Sequence, residues 1–365
     1  MATTMRCFHL AHFGQPLLPV DQPLPVPTGT QVLLKVLAAG VCHSDLHLQD
    51  GQIDLGNGQF ASFAARCNLP RTLGHETAGL VTAMGADAAG LATGLATGLA
   101  TGITLGSTVL VCPWVGCGSC DACQQGNENH CADSRFLGVS RDGGFAQHVL
   151  VPHPRYLVDL QGIDPVAAAP LACAGLTTYA ALKKGGPLLQ QRPAVLIGAG
   201  GLGLMALQVL RLMGGRGAVV LEIDPLKRRA ALQAGALAAI DPAAPDSDAQ
   251  VRQAVGGPVL FVLDLVGVEA TVSQGFRLLD KGGQLLVVGM MGGAMTLSLP
   301  VLATKAATLQ GCYVGNLADL RELVALVRDK GMPALPLDRR PLDAANEALD
   351  DLRAGRVVGR VVLVP

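Results

Sequence analysis

Residues 195–203 read Val195-Leu196-Ile197-Gly198-Ala199-Gly200-Gly201-Leu202-Gly203. An apolar, β-rich run passes straight into glycines at the spacing G-x-G-x-x-G, and an apolar stretch at helical spacing follows over 202–212. That context marks a dinucleotide site. Gly198 permits the tight turn, Gly200 lets backbone approach a pyrophosphate, and Gly203 allows close helix packing. The helix N-terminus, with Gly201 and Leu202 in its first turn, adds free N–H groups and partial positive charge. Glu222 closes the next strand, 19 residues after Gly203. Its carboxylate there would accept ribose hydroxyls and repel a 2′-phosphate, which favours NAD over NADP. Lys227, Arg228 and Arg229 pull the other way, since nearby cations suit a phosphate. A purely structural use of these glycines, in a close helix–strand contact, is the competing explanation.

Outward from this turn the pattern alternates. Strands are expected at 194–197, 218–222, 259–264 and 284–289, with helices at 202–212 and 226–234, the second ended by Gly235. Val- and Leu-rich strands joined by helices predict a parallel sheet covered on both faces. Residues 1–160 differ. Short β-rich runs at 32–36, 109–111 and 147–151 between Pro and Gly turns predict an irregular, mainly antiparallel domain. Helices at 317–330 and near 344–353 and a strand at 357–364 end the chain and are expected to return to that first domain.

With 365 residues and 50% hydrophobic content, the chain is long enough for two cores. Its 27 basic and 28 acidic side chains leave no electrostatic footprint for nucleic acid or anionic membrane. Aromatics are only 3%, poor material for base stacking, so the expected partners are small molecules. Residues 88–120 carry no charge and hold a threefold Gly-Leu-Ala-Thr repeat over 90–101. Threonines interrupt its apolar runs well short of the ~18 residues a span needs, so it is read as a loop lengthened by duplication. The uncharged stretch 285–304, with Gly289, Gly292, Gly293 and Pro300, is read as strand and turn punctuation.

Cys117, Cys120, Cys123 and Cys131 form a compact cluster, the first three separated by two residues each. Two intervening residues let a turn aim neighbouring thiolates at one tetrahedral ion, and four sulfurs close its shell against water. A structural zinc is expected. Disulfides are the alternative, but nothing at the start of the chain resembles a secretory signal, and cytoplasmic residence is expected. Between residues 113 and 132 there is no Lys or Arg, which argues against a nucleic-acid-binding zinc ribbon. Reactive chemistry must then lie elsewhere. Cys42-His43-Ser44-Asp45-Leu46-His47, Gly74-His75-Glu76 and Cys173 are each weak signals, because a lone Cys or His is commonly core.

Together these motifs are not weak. With Ala38-Ala39-Gly40-Val41-Cys42-His43-Ser44-Asp45, Thr72-Leu73-Gly74-His75-Glu76, Ala169-Pro170-Leu171 and Gly175-Leu176-Thr177-Thr178-Tyr179, nearly the whole chain resembles the zinc-dependent medium-chain alcohol dehydrogenases, nearest the NAD-dependent bacterial and archaeal secondary-alcohol type. The resemblance implies an α/β protein in two parts. A mainly β, GroES-like catalytic domain with a structural zinc lobe would take residues 1–160 and 331–365, and a Rossmann doubly wound parallel sheet would take 161–330. It further implies a reactive zinc on Cys42, His75 and Cys173, with Glu76 as a transient or supporting ligand, and Asp45 orienting the His75 ring. Two zinc ions per chain and NAD are the implied cofactors. The implied reaction is reversible hydride transfer between NAD(H) and secondary alcohols or ketones, with primary alcohols and aldehydes as a wider set. The metal would lower the hydroxyl pKa, and the proton would leave through Ser44, the nicotinamide ribose and His47. Family matching also sets His43 beside the pyrophosphate, Thr177 near the nicotinamide, and Arg360 near the cofactor phosphates or Glu76. Trp114, the single tryptophan, and Tyr313 match positions of the substrate pocket. A homotetramer or homodimer joined through sheet edges is implied as well.

Departures from the pattern are local. The segment 50–70 is longer than usual and carries Phe60, Phe63 and Cys67, so substrate preference transfers least safely. Gly106-Ser107-Thr108-Val109 lacks the turn carboxylate many relatives have there. Cys7, Cys67, Cys112 and Cys312 have no assigned role and are expected to pack as small hydrophobes. The competing functions are a zinc-free enone or quinone reductase on the same scaffold and a catalytically silent binding protein.

Overall fold

The computed structural model describes residues 4–92 and 102–365. Residues 93–101, most of the Gly-Leu-Ala-Thr repeat, lie outside the described residues. Six parallel strands form one sheet, in the spatial order Ala238–Ile240, Ala218–Leu221, Ala194–Ile197, Phe261–Asp264, Gln284–Val287 and Thr308–Gly311. The strands Ala194–Ile197, Ala218–Leu221 and Phe261–Asp264 are buried throughout, which is why their sequences are unbroken apolar runs. The order reverses between Ala194–Ile197 and Phe261–Asp264, the switch point where open α/β sheets bind ligands beyond the strand ends.

The strand expected at 284–289 stops at Val287. The stretch read as strand and turn punctuation also contains a helix, Leu299–Lys305. Pro300 is tolerated in its first turn, and none of its residues is buried, so no amphipathic period betrays it. The last strand, Thr308–Gly311, is exposed along its length and, among the described residues, pairs on one side only.

A second sheet runs Leu157–Asp159, Thr108–Val111, Glu76–Met84, Val32–Gly40, Arg360–Val364 and Leu337–Pro341, with His148–Val151 also paired to Val32–Gly40. Its pairings are antiparallel except the last, Leu337–Pro341 with Arg360–Val364. The C-terminal strand therefore returns to the N-terminal sheet, with Val362 opposite Gly40 and Leu363 opposite Ala39. It begins at Arg360, later than the 357 expected. Helix Ala174–Gly185 is buried over nearly all its length and packs on Gly201–Leu212 and Leu317–Lys330. That packing fixes Cys173, at the helix start, relative to the glycine-rich turn.

The long segment 50–70 opens as a hairpin, Gln52–Gly56 with Gln59–Ser62. It lies against the loop after the fifth parallel strand: a Cβ on Gly292 would stand 2.7 Å from the Asp54 Cβ. Among the described residues no single helix is long and apolar enough to cross a membrane.

Candidate active site

The helix His43–Asp50 begins immediately after Cys42, and its first turn is tied down by Asp45. Asp45 is fully buried. Its Oδ2 accepts from the Cys42 backbone N–H at 2.9 Å and its Oδ1 accepts from that of Gly74 at 3.3 Å. The same Oδ1 stands 3.3 Å from His75 Nδ1, so one carboxylate fixes the backbones of two loops and aims an imidazole. His75 is 1% exposed, and its Nε2 has no hydrogen-bond partner among the described residues. A buried ring nitrogen left bare is costly unless something electrophilic meets it.

That nitrogen faces sulfur and carboxylate. Donor atoms of Cys42, His75, Glu76 and Cys173 all lie within 4.8 Å of one another, and all four residues are buried. The donor set suits zinc, which takes thiolate and imidazole together. A hydrogen bond from Cys173 holds Cys42 well below the usual thiol range, while the same bond, with burial, pushes Cys173 up. Burial opposes charging of His75, but Asp45 and Cys42 outweigh it and drive its pKa well up. Burial pushes Glu76 up to about 7, against the pull of the Arg360 guanidinium. Arg360 Nη2 donates to Glu76 Oε2 across a chain separation of 284 residues. Ser44 is one step away, its Oγ 3.8 Å from Cys42 Sγ. His47 lies on the same helix at half burial, and desolvation lowers its pKa, as it does for His43.

Arg360 also joins this cluster to the nucleotide turn. A crevice is lined by Val41, His43, Gly200, Gly201, Leu202, Lys227 and Arg360, so the predicted pyrophosphate residues converge. Gly198 has φ +98°, a conformation only glycine adopts freely. A Cβ on Gly203 would run into the Gly198 carbonyl, whereas one on Gly200 would meet nothing within 4 Å, which leaves a cradle open to a phosphate. Glu222 also has a structural use. Its oxygens accept from the Ala199 N–H at 2.7 Å and the Asp224 N–H at 2.9 Å, so the carboxylate braces the turn. Arg228 is occupied: it donates to the carbonyls of Glu222 and Ile223 and pairs with Asp241 at 3.1 Å. Thr177 sits one turn beyond Cys173, buried, with its hydroxyl unpartnered among the described residues.

Next to His75 stands an aromatic wall. The Trp114 ring is 5.7 Å from that of His75, 5.1 Å from Phe136 and 6.3 Å from Tyr313. Trp114 Nε1 donates to the Ala172 carbonyl at 3.1 Å, which locks the indole beside Cys173. Phe136 has no sequence signature, because one aromatic in a loop carries no periodic signal. The remaining cysteines Cys7, Cys67, Cys112 and Cys312 are buried.

Apart from this site, Cys117, Cys120, Cys123 and Cys131 bring their sulfurs within 4.8 Å of one another. Cys117 to Cys123 is 3.9 Å and Cys120 to Cys131 is 3.7 Å. Zn–S bonds of about 2.3 Å in a tetrahedron put sulfurs about 3.8 Å apart, and a disulfide would bring them to about 2.05 Å. The four are spaced for a metal.

The family model for the alcohol dehydrogenase GroES-like domain matches residues 28–162, and that for zinc-binding dehydrogenases matches residues 201–329. An NAD-dependent alcohol dehydrogenase of Sulfurisphaera tokodaii is 36% identical over 99% of this chain and 100% of its own length. One from Saccharolobus solfataricus is 34% identical over the same shares. The crystal structure of the alcohol dehydrogenase of Aeropyrum pernix superposes with a TM-score of 0.83 at 33% identity, covering 99% of this chain and all of that one. Identity at this level across the whole length, on a fold carrying both cysteine sites and the glycine turn, means that the chain belongs to the medium-chain, zinc-dependent alcohol dehydrogenase family.

Proposed function

We propose that this protein is an NAD-dependent zinc alcohol dehydrogenase that interconverts secondary alcohols and ketones, and also accepts primary alcohols and aldehydes. The observation that carries the reading is the meeting of Cys42, His75, Glu76 and Cys173 within 4.8 Å, joined through Arg360 to the crevice at Gly200. Cys42, His75 and Cys173 hold the reactive zinc, with Glu76 as an alternative ligand. Cys117, Cys120, Cys123 and Cys131 hold a second, structural ion. When bound, zinc supplies Lewis acidity at the substrate oxygen and NAD supplies the hydride-accepting ring.

The chain's own residues do the rest. Asp45 keeps His75 Nε2 turned toward the cluster. Ser44 takes the hydroxyl proton and passes it toward His47, whose depressed pKa keeps the imidazole neutral and ready to accept it. His43, Lys227 and Arg360 set positive charge around the crevice beside Gly200, Gly201, Leu202 and Gly203. Thr177 offers its unpartnered hydroxyl toward the nicotinamide end. Trp114 and Tyr313, with Phe136, wall the alcohol pocket and shield it from water. A zinc-free enone reductase has no need of the Cys42, His75 and Cys173 trio.

In this reading residues 1–160 and 331–365 form the catalytic domain and 161–330 the nucleotide domain; pairing of Arg360–Val364 with Val32–Gly40 supports the division. The enzyme is a cytoplasmic homo-oligomer, a tetramer or dimer. The exposed edge strand Thr308–Gly311, flanked by exposed Leu299 and Val301, supports joining through sheet edges. Its ten unpaired cysteines suit a reducing compartment.

The deciding experiment is metal analysis with an NADH-coupled panel of short aliphatic, cyclic and benzylic secondary alcohols, before and after chelation. About two zinc ions per chain are expected, with turnover lost on chelation; turnover that survives full removal of metal would sink the proposal. Cofactor choice has its own test. Glu222→Ala should weaken NAD binding about tenfold without conferring a preference for NADP. The reason is that Arg228 is held by Asp241 and two carbonyls and cannot turn to a 2′-phosphate. Inverted preference in that variant, measured by titration with each cofactor, would contradict this.

A further inference from the structure

The structural-zinc lobe does more than close on its own ion. Asn129, in the short helix Glu128–His130 between Cys123 and Cys131, is 7% exposed. Its Nδ2 donates at 3.1 Å to the backbone carbonyl of Tyr313, 184 residues away. Asn127 repeats the grip: its Oδ1 accepts at 3.1 Å from Asn316 Nδ2. Asn316 in turn caps helix Leu317–Lys330, its Oδ1 accepting from the Asp319 N–H at 2.9 Å. Two asparagines from one lobe thus clamp both ends of the turn 313–316.

That turn needs clamping. Val314 has φ +45°, a left-handed conformation that a β-branched residue adopts only when its surroundings impose it, at a cost of about 1–3 kcal/mol. Gly315 is pressed against helix Ala174–Gly185, where an added Cβ would stand 2.6 Å from Leu176 Cδ1. The strained turn has a local consequence. It holds the Tyr313 ring against Trp114 and Phe136, at centroid distances of 6.3 and 6.5 Å. Were the clamp released, the backbone at Val314 would be free to relax to negative φ and the Tyr313 side chain to leave the wall.

We infer that Asn129 is a positioning residue for substrate selectivity: its side-chain amide holds the strained turn that keeps Tyr313 in the aromatic wall of the alcohol pocket. This rests on the proposed role of Trp114 and Tyr313 as that wall. The function of the zinc lobe is then to carry a selectivity clamp into the pocket as well as to fold.

The test uses Asn129→Asp and Asn129→Leu, both close to asparagine in size and neither able to donate to the carbonyl. Both should keep the wild-type zinc content while changing the ratio of kcat/KM for a benzylic over a short aliphatic secondary alcohol by about tenfold, the size of one buried hydrogen bond. The change should fall on KM more than on kcat for the short alcohol, and in a Tyr313→Ala background the Asn129 substitution should add less than about twofold, as coupled sites do. Emission of Trp114, the sole tryptophan, should shift in both variants without any substrate. A wild-type ratio, an undiminished shift in the Tyr313→Ala background, or unchanged Trp114 emission overturns the inference. Loss of zinc from both variants overturns it too, since Asn129 would then serve the lobe alone. A wild-type protein that turns over no alcohol removes the pocket reading instead, and leaves the clamp to be decided by the emission.

Discussion

Cys42→Ala and His75→Ala should each lose alcohol turnover by about ten thousandfold while binding NADH as the parent does. Lewis acidity supplies several kcal/mol to the reaction, and each 1.36 kcal/mol is about a factor of ten in rate. The crevice proposed for the nucleotide lies on other residues, Gly200, Gly201 and Lys227 among them, so NADH binding should survive. Zinc content should fall from about two per chain to about one, because Cys117, Cys120, Cys123 and Cys131 form a separate cluster. Metal analysis, NADH fluorescence titration and steady-state turnover on one preparation decide the matter. A variant with a single zinc and parental turnover would place the chemistry somewhere else.

Arg360→Met should destabilise the fold by about 3–5 kcal/mol, the cost of leaving one member of a buried ion pair without the other. Glu76 is 0% exposed and Arg360 3%, so water cannot take over the lost partner. The carboxylate is already pushed up to about 7 by burial with the guanidinium beside it. The same substitution takes a positive charge from the crevice, and NADH affinity should drop with stability. The double variant Arg360→Met with Glu76→Gln, which has no buried charge left at this point, should recover more than half of the lost stability. Denaturant titration of the single and the double variant beside the parent reads this directly. If the double variant is no more stable than the single one, the pair is not the source of the cost.

Sequence patterns and structure agree most closely where the physics is local. Residues 194–212 have a strand, a turn that needs Gly198 at positive φ, and a helix that needs Gly203 against the Gly198 carbonyl, all within 19 positions. Spacing among Cys117, Cys120 and Cys123 similarly encodes a turn that gathers sulfurs. Errors occur where local signals were weak. Helix Leu299–Lys305 has no buried face, and the last strand starts three residues late at Arg360. Phe136 and Asn129 gave no sign of a role, since neither belongs to a repeating pattern.

By itself the amino-acid order determined the glycine turn, the four-cysteine lobe, the alternation of strand and helix, and which side chains are chemically able to hold a metal. Short-range sterics and ligand preference suffice for those. Only the tertiary structure decided that Cys42, His75 and Cys173 share one buried point, that Arg360 reaches Glu76 across 284 residues, and that Asn129 grips the carbonyl of Tyr313. These contacts depend on how two sheets and the helix Ala174–Gly185 pack, and packing is settled by the summed burial of many side chains that no short window of sequence contains.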